Sequence, residues 1–233
     1  MTSSYVIAPA ALPSVAVAGE TQRFAVRRIF CVGQNYASHA REMGSDPQRQ
    51  PPFFFMKPAS ALLADGAALP YPPRTANLHH EAELVAAIGT GGREIPAERA
   101  LAHVYGYAVG NDFTRRDLQA AAKEKGRPWD VAKGFDHSAG IGAIHPVARH
   151  GHARRAAIWL TVNGVERQRA DIADMTWDVA GVLAELSTLF TLEAGDLVYT
   201  GTPAGVAAIV PGDVVVAGID GLGTVTTTVV AAR

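Results

Sequence analysis

The chain has 233 residues, a formal net charge of −1 and one cysteine, a length that buries a full core in one large domain, with or without a small appendage. Its basic residues are dispersed and no aromatic–basic stripe is present, so nucleic acid is excluded as an expected partner. It contains no run of about 18 apolar residues, so nothing in it is expected to span a membrane.

Residues 1–28 read as an irregular lead-in with one or two edge strands. The stretch from Tyr5 to Val17 is fairly apolar but carries prolines and no basic segment before it, and no signal peptide is expected. Ile29 to Val32 reads as a short strand stopped by Gly33. Cys31, inside it, reads as a small buried hydrophobe, and a lone cysteine makes no intrachain disulfide, which fits a reducing compartment. Asn35 to Gly44 predicts a short helix ended by Gly44, with His39 and Glu42 one turn apart on the same face. Ser45 to Pro52 is polar and proline-containing, hence a loop. Phe53 to Met56 is another strand, leading into Lys57-Pro58.

The next strand, at about 79–88, opens with His79-His80-Glu81-Ala82-Glu83 and continues as the apolar run Leu84 to Ile88, closed by Gly89. Side chains alternate on a strand, so His79, Glu81 and Glu83 are expected on one face. Carboxylates sharing a face repel unless a cation or a proton lies between them. A strand from Val104 to Val109 delivers Asn111 and Asp112 to a helix start, and Asp112 can complete an all-oxygen set suited to Mg²⁺, Mn²⁺ or Ca²⁺ rather than zinc. By spacing alone, this reading stands beside a plainer one, a solvated strand face with two exposed glutamates.

Pro96 predicts a helix running to about Tyr105. Thr114 and Asp117 read as the acidic form of a capping box, with the helix continuing to Gly126. Asp174 begins the most amphipathic helix; its stripe of Val179, Val182, Leu183, Leu186 and Leu189 is core packing. The last forty residues are β-rich, with Gly195-Asp196 and Gly212-Asp213 each introducing a strand. The total is an α+β chain of many short strands rather than an alternating βαβ pattern.

Several ordered motifs combine into one resemblance: Gly33-Gln34-Asn35-Tyr36, His39 with Glu42, Lys57-Pro58, His79-x-Glu81-x-Glu83, Asn111-Asp112-x-Thr114-x-Arg116-Asp117, Lys133-Gly134-Phe135-Asp136 and Thr200-Gly201-Thr202-Pro203. Together they resemble the fumarylacetoacetate hydrolase superfamily. The compact length and the string from Lys125 to Ala139 are most similar to its acylpyruvate hydrolase branch, in particular the bacterial fumarylpyruvate hydrolases of the gentisate route. The resemblance implies a mixed β-roll or β-sandwich with a few flanking helices, a catalytic domain over 29–233, a homodimer and a cytoplasmic setting. It implies Mg²⁺, with Mn²⁺ as the alternative, on Glu81, Glu83 and Asp112, and a small oxoacid as the partner.

The implied reaction is metal-dependent hydrolysis of the C–C bond of a 2,4-dioxo acid, fumarylpyruvate giving fumarate and pyruvate. His39 is the expected general base and Glu42 its orienting acid. Lys133 is expected near the developing oxyanion or the metal-bound carboxylates, Gln119 at that oxyanion, and Thr202 at the pyruvate carboxylate. Arg116 either binds substrate or pairs with Asp117, and Tyr36 is a further candidate for the substrate pocket. His79 and Lys57 are expected to support the metal ligands from behind. A distal carboxylate needs a cation at the far end of the pocket, for which Arg127, or else Arg41, is the candidate. Residues 36–50 are expected to close over the bound oxoacid as a lid. Rival readings are oxaloacetate decarboxylation, general acylpyruvase action, isomerisation of 2-hydroxyhepta-2,4-diene-1,7-dioate, and a metal-dependent oxoacid-binding protein without turnover.

Overall fold

The apolar run after Glu83 is flanked on both sides by other strands. Ala82–Ile88 lies antiparallel to Val104–Asp112 on one side and to Asp196–Tyr199 on the other. All of its residues are buried, which is why it reads as a continuous apolar segment rather than an alternating one. The computed structural model describes residues 5–44 and 50–232. Among these, the central sheet runs Phe53–Lys57, Arg28–Gly33, Asp196–Tyr199, Ala82–Ile88, Val104–Asp112, Ala139–Ile141 and Leu62–Ala64. It is mixed: Arg28–Gly33 is parallel to Asp196–Tyr199, and Ala139–Ile141 to Leu62–Ala64.

Alternation along the central strands feeds two cores. Phe30, Val32, Leu84, Ala86, Val109 and Val198 point toward a second sheet, where they pack with Ile158, Leu160, Val215, Ala217 and Val225. That sheet runs Val165–Asp171, Ala157–Val162, Val214–Ile219, Gly223–Val230 and Ala68–Pro70. Ile29, Cys31, Val85, Ala87, Ala108, Leu197 and Tyr199 fill the opposite face, covered in part by Val15 and Val26. The architecture is the expected α+β sandwich. Truncating a fully buried side chain such as Leu84 to alanine is expected to cost about 2–5 kcal/mol.

The lead-in does hold two short strands, Ser14–Ala16 and Arg23–Ala25, which pair with each other. Several local expectations need correction. The helix after Pro96 is one turn, Ala97–Ala100, followed by a 3-10 turn at Leu101–His103, because pairing with Ala82–Ile88 claims the chain from Val104 onward. Helix Arg116–Glu124 has no Thr114 cap: Thr114 is paired in register with His79, and its hydroxyl donates to the Asp112 carbonyl at 3.0 Å. Asp117 instead accepts from Thr75 Oγ1 at 2.6 Å and Ala76 N at 2.9 Å. The amphipathic helix spans Val179–Leu189 and is capped by Asp178, whereas Asp174 closes a capping box with Asp171 on the preceding 3-10 turn.

Candidate metal centre and active site

The expected single strand over 79–88 is broken at His80 and Glu81, between Leu78–His79 and Ala82–Ile88. The break is held by reciprocal bonds: Glu81 N donates to Asn111 Oδ1, and Asp112 N donates to the Glu81 carbonyl, each at 2.9 Å. Asn111 therefore positions Glu81 against the end of the Asp112 strand. Glu83 is held separately, accepting from Gly201 N at 2.8 Å through Oε2. Gly201 has φ +97, and a Cβ there would sit 2.7 Å from Asn35 Cβ, so glycine is required for this approach. Carboxylate oxygens of Glu81, Glu83 and Asp112 consequently lie within 4.8 Å of one another, all three residues being buried.

Cations surround this acidic group. Lys133 Nζ donates to Glu81 Oε2 and Asp112 Oδ2, both at 2.8 Å. Lys57 Nζ lies 2.7 Å from Asp112 Oδ1 and donates to the carbonyls of Phe113, Lys133 and Ser138. Arg116 pairs with Glu81 Oε1 through Nη2, donates to Gln119 Oε1 at 2.6 Å and to His79 Nδ1 at 3.3 Å. Burial opposes ionisation of Glu81, but Lys133 and Arg116 more than offset it and hold the carboxyl well below its usual range. Among the described residues no cation pairs with Glu83: burial, then Asp112 and Glu81, push its carboxyl well above the usual range. Burial and the adjacent Arg116 lower His79 to about 4.

A divalent cation fits this arrangement. The donors are all oxygen, they converge, and the raised Glu83 carboxyl marks a concentration of negative charge that a further cation would relieve.

His39 is buried on helix Ala37–Glu42, and its Nδ1 lies 3.0 Å from Glu42 Oε2. A carboxylate can only accept, so Nδ1 carries the hydrogen and Nε2 is left as the basic nitrogen. The other Glu42 oxygen accepts from Gly205 N at 3.0 Å, tying this helix to the loop that carries Thr202. A cavity of about 290 Å³ is lined by His39, Glu81, Glu83, Arg116, Gln119, Lys133 and Thr202, with Phe55, Trp129 and Lys123 among its other walls.

Residues 28–230 match the family described as fumarylacetoacetate (FAA) hydrolase C-terminal. The chain belongs to this family. It is 53% identical to a crystal structure of fumarylpyruvate hydrolase from Pseudomonas aeruginosa in complex with Mn²⁺ and pyruvate, with a TM-score of 0.96 over 98% of this chain and 100% of that one. It is 42% identical to a fumarylpyruvate hydrolase from a Ralstonia species over 76% of this chain and 92% of that protein. A mitochondrial oxaloacetate decarboxylase from Dictyostelium discoideum is 40% identical over 85% of this chain and 91% of that protein.

In this fumarylacetoacetate hydrolase family member, most of the residues expected at the site do converge. The exceptions have physical causes. Arg116 does not pair with Asp117, whose carboxylate is taken by Thr75 and Ala76, and turns instead to Glu81. Tyr36 is buried as the N-cap of the His39 helix and is absent from the cavity wall. Burial, then Glu83, push its phenol upward. Arg127 is exposed and outside the cavity: Gly126, at φ +59, reverses the chain so that Arg127 N returns to the Ala122 carbonyl at 2.8 Å. Arg41 is exposed as well. Of the expected lid over 36–50, residues 45–49 lie outside the described residues.

Lys123 was not anticipated. Arg116, Gln119, Ala120 and Lys123 all line the cavity, at the i, i+3, i+4 and i+7 spacing of one helix face. Among the described residues Lys123 makes no ion pair, whereas Lys133 and Arg116 are committed to carboxylates.

Proposed function

We propose that this chain hydrolyses the C–C bond of a 2,4-dioxo acid, with fumarylpyruvate the best-supported substrate, giving fumarate and pyruvate. The observation that carries the reading is that His39, held by Glu42, and two of the three clustered carboxylates, Glu81 and Glu83, line one cavity, with Asp112 buried beside them. Hydrolysis needs a base for water and a counter-charge for the departing enolate, and these two groups supply them. His39 Nε2 takes a proton from water, and the hydroxide adds to the C4 carbonyl. Glu42 holds the imidazole and stabilises its cation. The C3–C4 bond then breaks, its electron pair passes to the pyruvate half, and a proton returns to C3. A divalent cation held by Glu81, Glu83 and Asp112 would stabilise the negative charge that develops there.

Gln119, and the one N–H of Lys133 not given to Glu81 or Asp112, are assigned to the developing oxyanion. Gln119 Oε1 is occupied by Arg116, which leaves its amide NH₂ as the group it can donate. Thr202 is assigned to the pyruvate carboxylate, and Lys57 and His79 hold Asp112 and Arg116 in place from behind. Lys123, rather than Arg127, is assigned to the distal carboxylate that distinguishes fumarylpyruvate from acetylpyruvate. The reading extends to Mg²⁺ as resident metal with Mn²⁺ as the alternative, a homodimer, a cytoplasmic setting and a place in gentisate-type aromatic breakdown. The Mn²⁺ and pyruvate of the Pseudomonas aeruginosa enzyme support the metal and the product class.

Oxaloacetate decarboxylation is the second reading, favoured by the Dictyostelium relative. Turnover on fumarylpyruvate, acetylpyruvate and oxaloacetate with added Mg²⁺ separates the two. Preference for fumarylpyruvate supports the proposal; turnover confined to oxaloacetate replaces it with the lyase, and binding without turnover of any of them removes the enzyme reading.

A further inference from the structure

Strand Val165–Asp171 lies at the edge of the outer sheet, and Gln168 is its single fully buried position. A buried amide must be satisfied, and this one is, at both ends. Its oxygen accepts from Ala82 N at 3.0 Å and faces His80 Nδ1 at 3.1 Å; its nitrogen donates to the Pro203 carbonyl at 2.8 Å and to Thr202 Oγ1 at 2.9 Å. A backbone N–H can only donate and a carbonyl can only accept, so Ala82 and Pro203 fix which end of the amide is oxygen. The remaining roles follow: His80 Nδ1 must carry a hydrogen, and the Thr202 hydroxyl must accept from Gln168.

A hydroxyl that accepts at this contact has its one proton free for another. Thr202 is buried, lines the cavity and, among the described residues, donates to no acceptor. We infer that Gln168 is a positioning residue that sets the Thr202 hydroxyl as a donor to the substrate carboxylate. Without it, the hydroxyl is free to turn its proton onto the Pro203 carbonyl or another local oxygen. The inference rests on the oxoacid reading of the cavity, which gives the acceptor.

The test is a double-mutant cycle, Gln168→Met with Thr202→Val, reading oxalate affinity of the Mn²⁺-loaded protein by calorimetry. A bond from a hydroxyl to a charged oxygen sets the scale: Thr202→Val should weaken oxalate about tenfold or more. Gln168→Met should weaken it comparably in the parent yet add little in the Thr202→Val background, and Thr202→Ser should keep near-parental affinity. Losses that multiply in the double variant would overturn the inference, because a merely structural glutamine acts in either background. If Gln168→Met fails to fold, ¹⁵N-histidine spectroscopy of the parent protein tests the amide orientation on which the inference depends. Hydrogen on His80 Nδ1 with a bare Nε2 supports the amide orientation, and the opposite tautomer refutes it. Failure of oxalate to bind the parent would count against the oxoacid reading, while the His80 tautomer would still judge Gln168.

Discussion

Glu83→Gln is the most telling perturbation of the metal centre, because it should move two stabilities in opposite directions. In the metal-free protein, burial and the neighbouring Asp112 and Glu81 oppose the Glu83 charge. Glutamine removes that charge while its oxygen still accepts from Gly201 N, the contact Glu83 makes at 2.8 Å. The metal-free variant should therefore melt at or above the parental temperature. With metal the order reverses. A cation at a hundred times its Kd stabilises the parent by about 2.7 kcal/mol. For a chain of 233 residues this is a rise in Tm of about 5 °C, from the usual unfolding entropy per residue. The variant, lacking one of its three carboxylates, should lose most of that rise. The assay is a thermal melt of each protein in EDTA and again in Mn²⁺. A variant less stable than the parent in EDTA, yet showing the full Mn²⁺ shift, would refute the reasoning: Glu83 would then be an ordinary structural acid.

The same raised carboxyl implies that metal competes with a proton at Glu83, so Mn²⁺ affinity should fall as pH falls and binding should release protons. Calorimetry in buffers of different ionisation enthalpy checks this, and a buffer-independent enthalpy would count against it. His39→Ala should slow hydrolysis by about 10²–10⁴-fold with Mn²⁺ affinity retained, and a parental rate would move water activation elsewhere. Lys123→Met should lower kcat/KM for fumarylpyruvate but not for acetylpyruvate. Because Lys123 is exposed, the ratio should change by only about three- to tenfold, and Arg127→Ala should leave it unchanged. Burial lowers His80 from 6.5 to about 4, so the unfolded chain binds the proton first and stability should fall as pH drops through that window. A variant lacking this one histidine, such as His80→Gln, should lose up to about 3 kcal/mol of that dependence, measured by urea titration across the range.

Chemistry concentrated in short segments was legible in the residues themselves. Glu81, Glu83 and Asp112 stand at or beside the ends of apolar strands, where carboxylates are unexpected unless something binds them, and His39 with Glu42 needs only one helical turn to meet. The sandwich was legible in the run of short strands, and the burial of Cys31 in its apolar neighbours. Local signals misled where tertiary pairing outbid them. Thr114 has the spacing of a cap, but its place in register with His79 turns the hydroxyl back to Asp112. Arg127 lies two residues from Trp129 in sequence, yet Trp129 reaches the cavity wall while Arg127, its N–H turned back to the Ala122 carbonyl, faces solvent. Lys123 could have been found from the face it shares with Arg116 and Gln119. Gln168 could not. Its partners are 86 residues away at Ala82 and 34 away at Thr202, and only the packing of the outer strand against the broken Glu81 segment brings them within hydrogen-bonding distance. Residue type and spacing determine which groups can do chemistry; which end of an amide meets which neighbour is decided by the fold, because a hydrogen bond depends on distances and directions that no linear spacing contains.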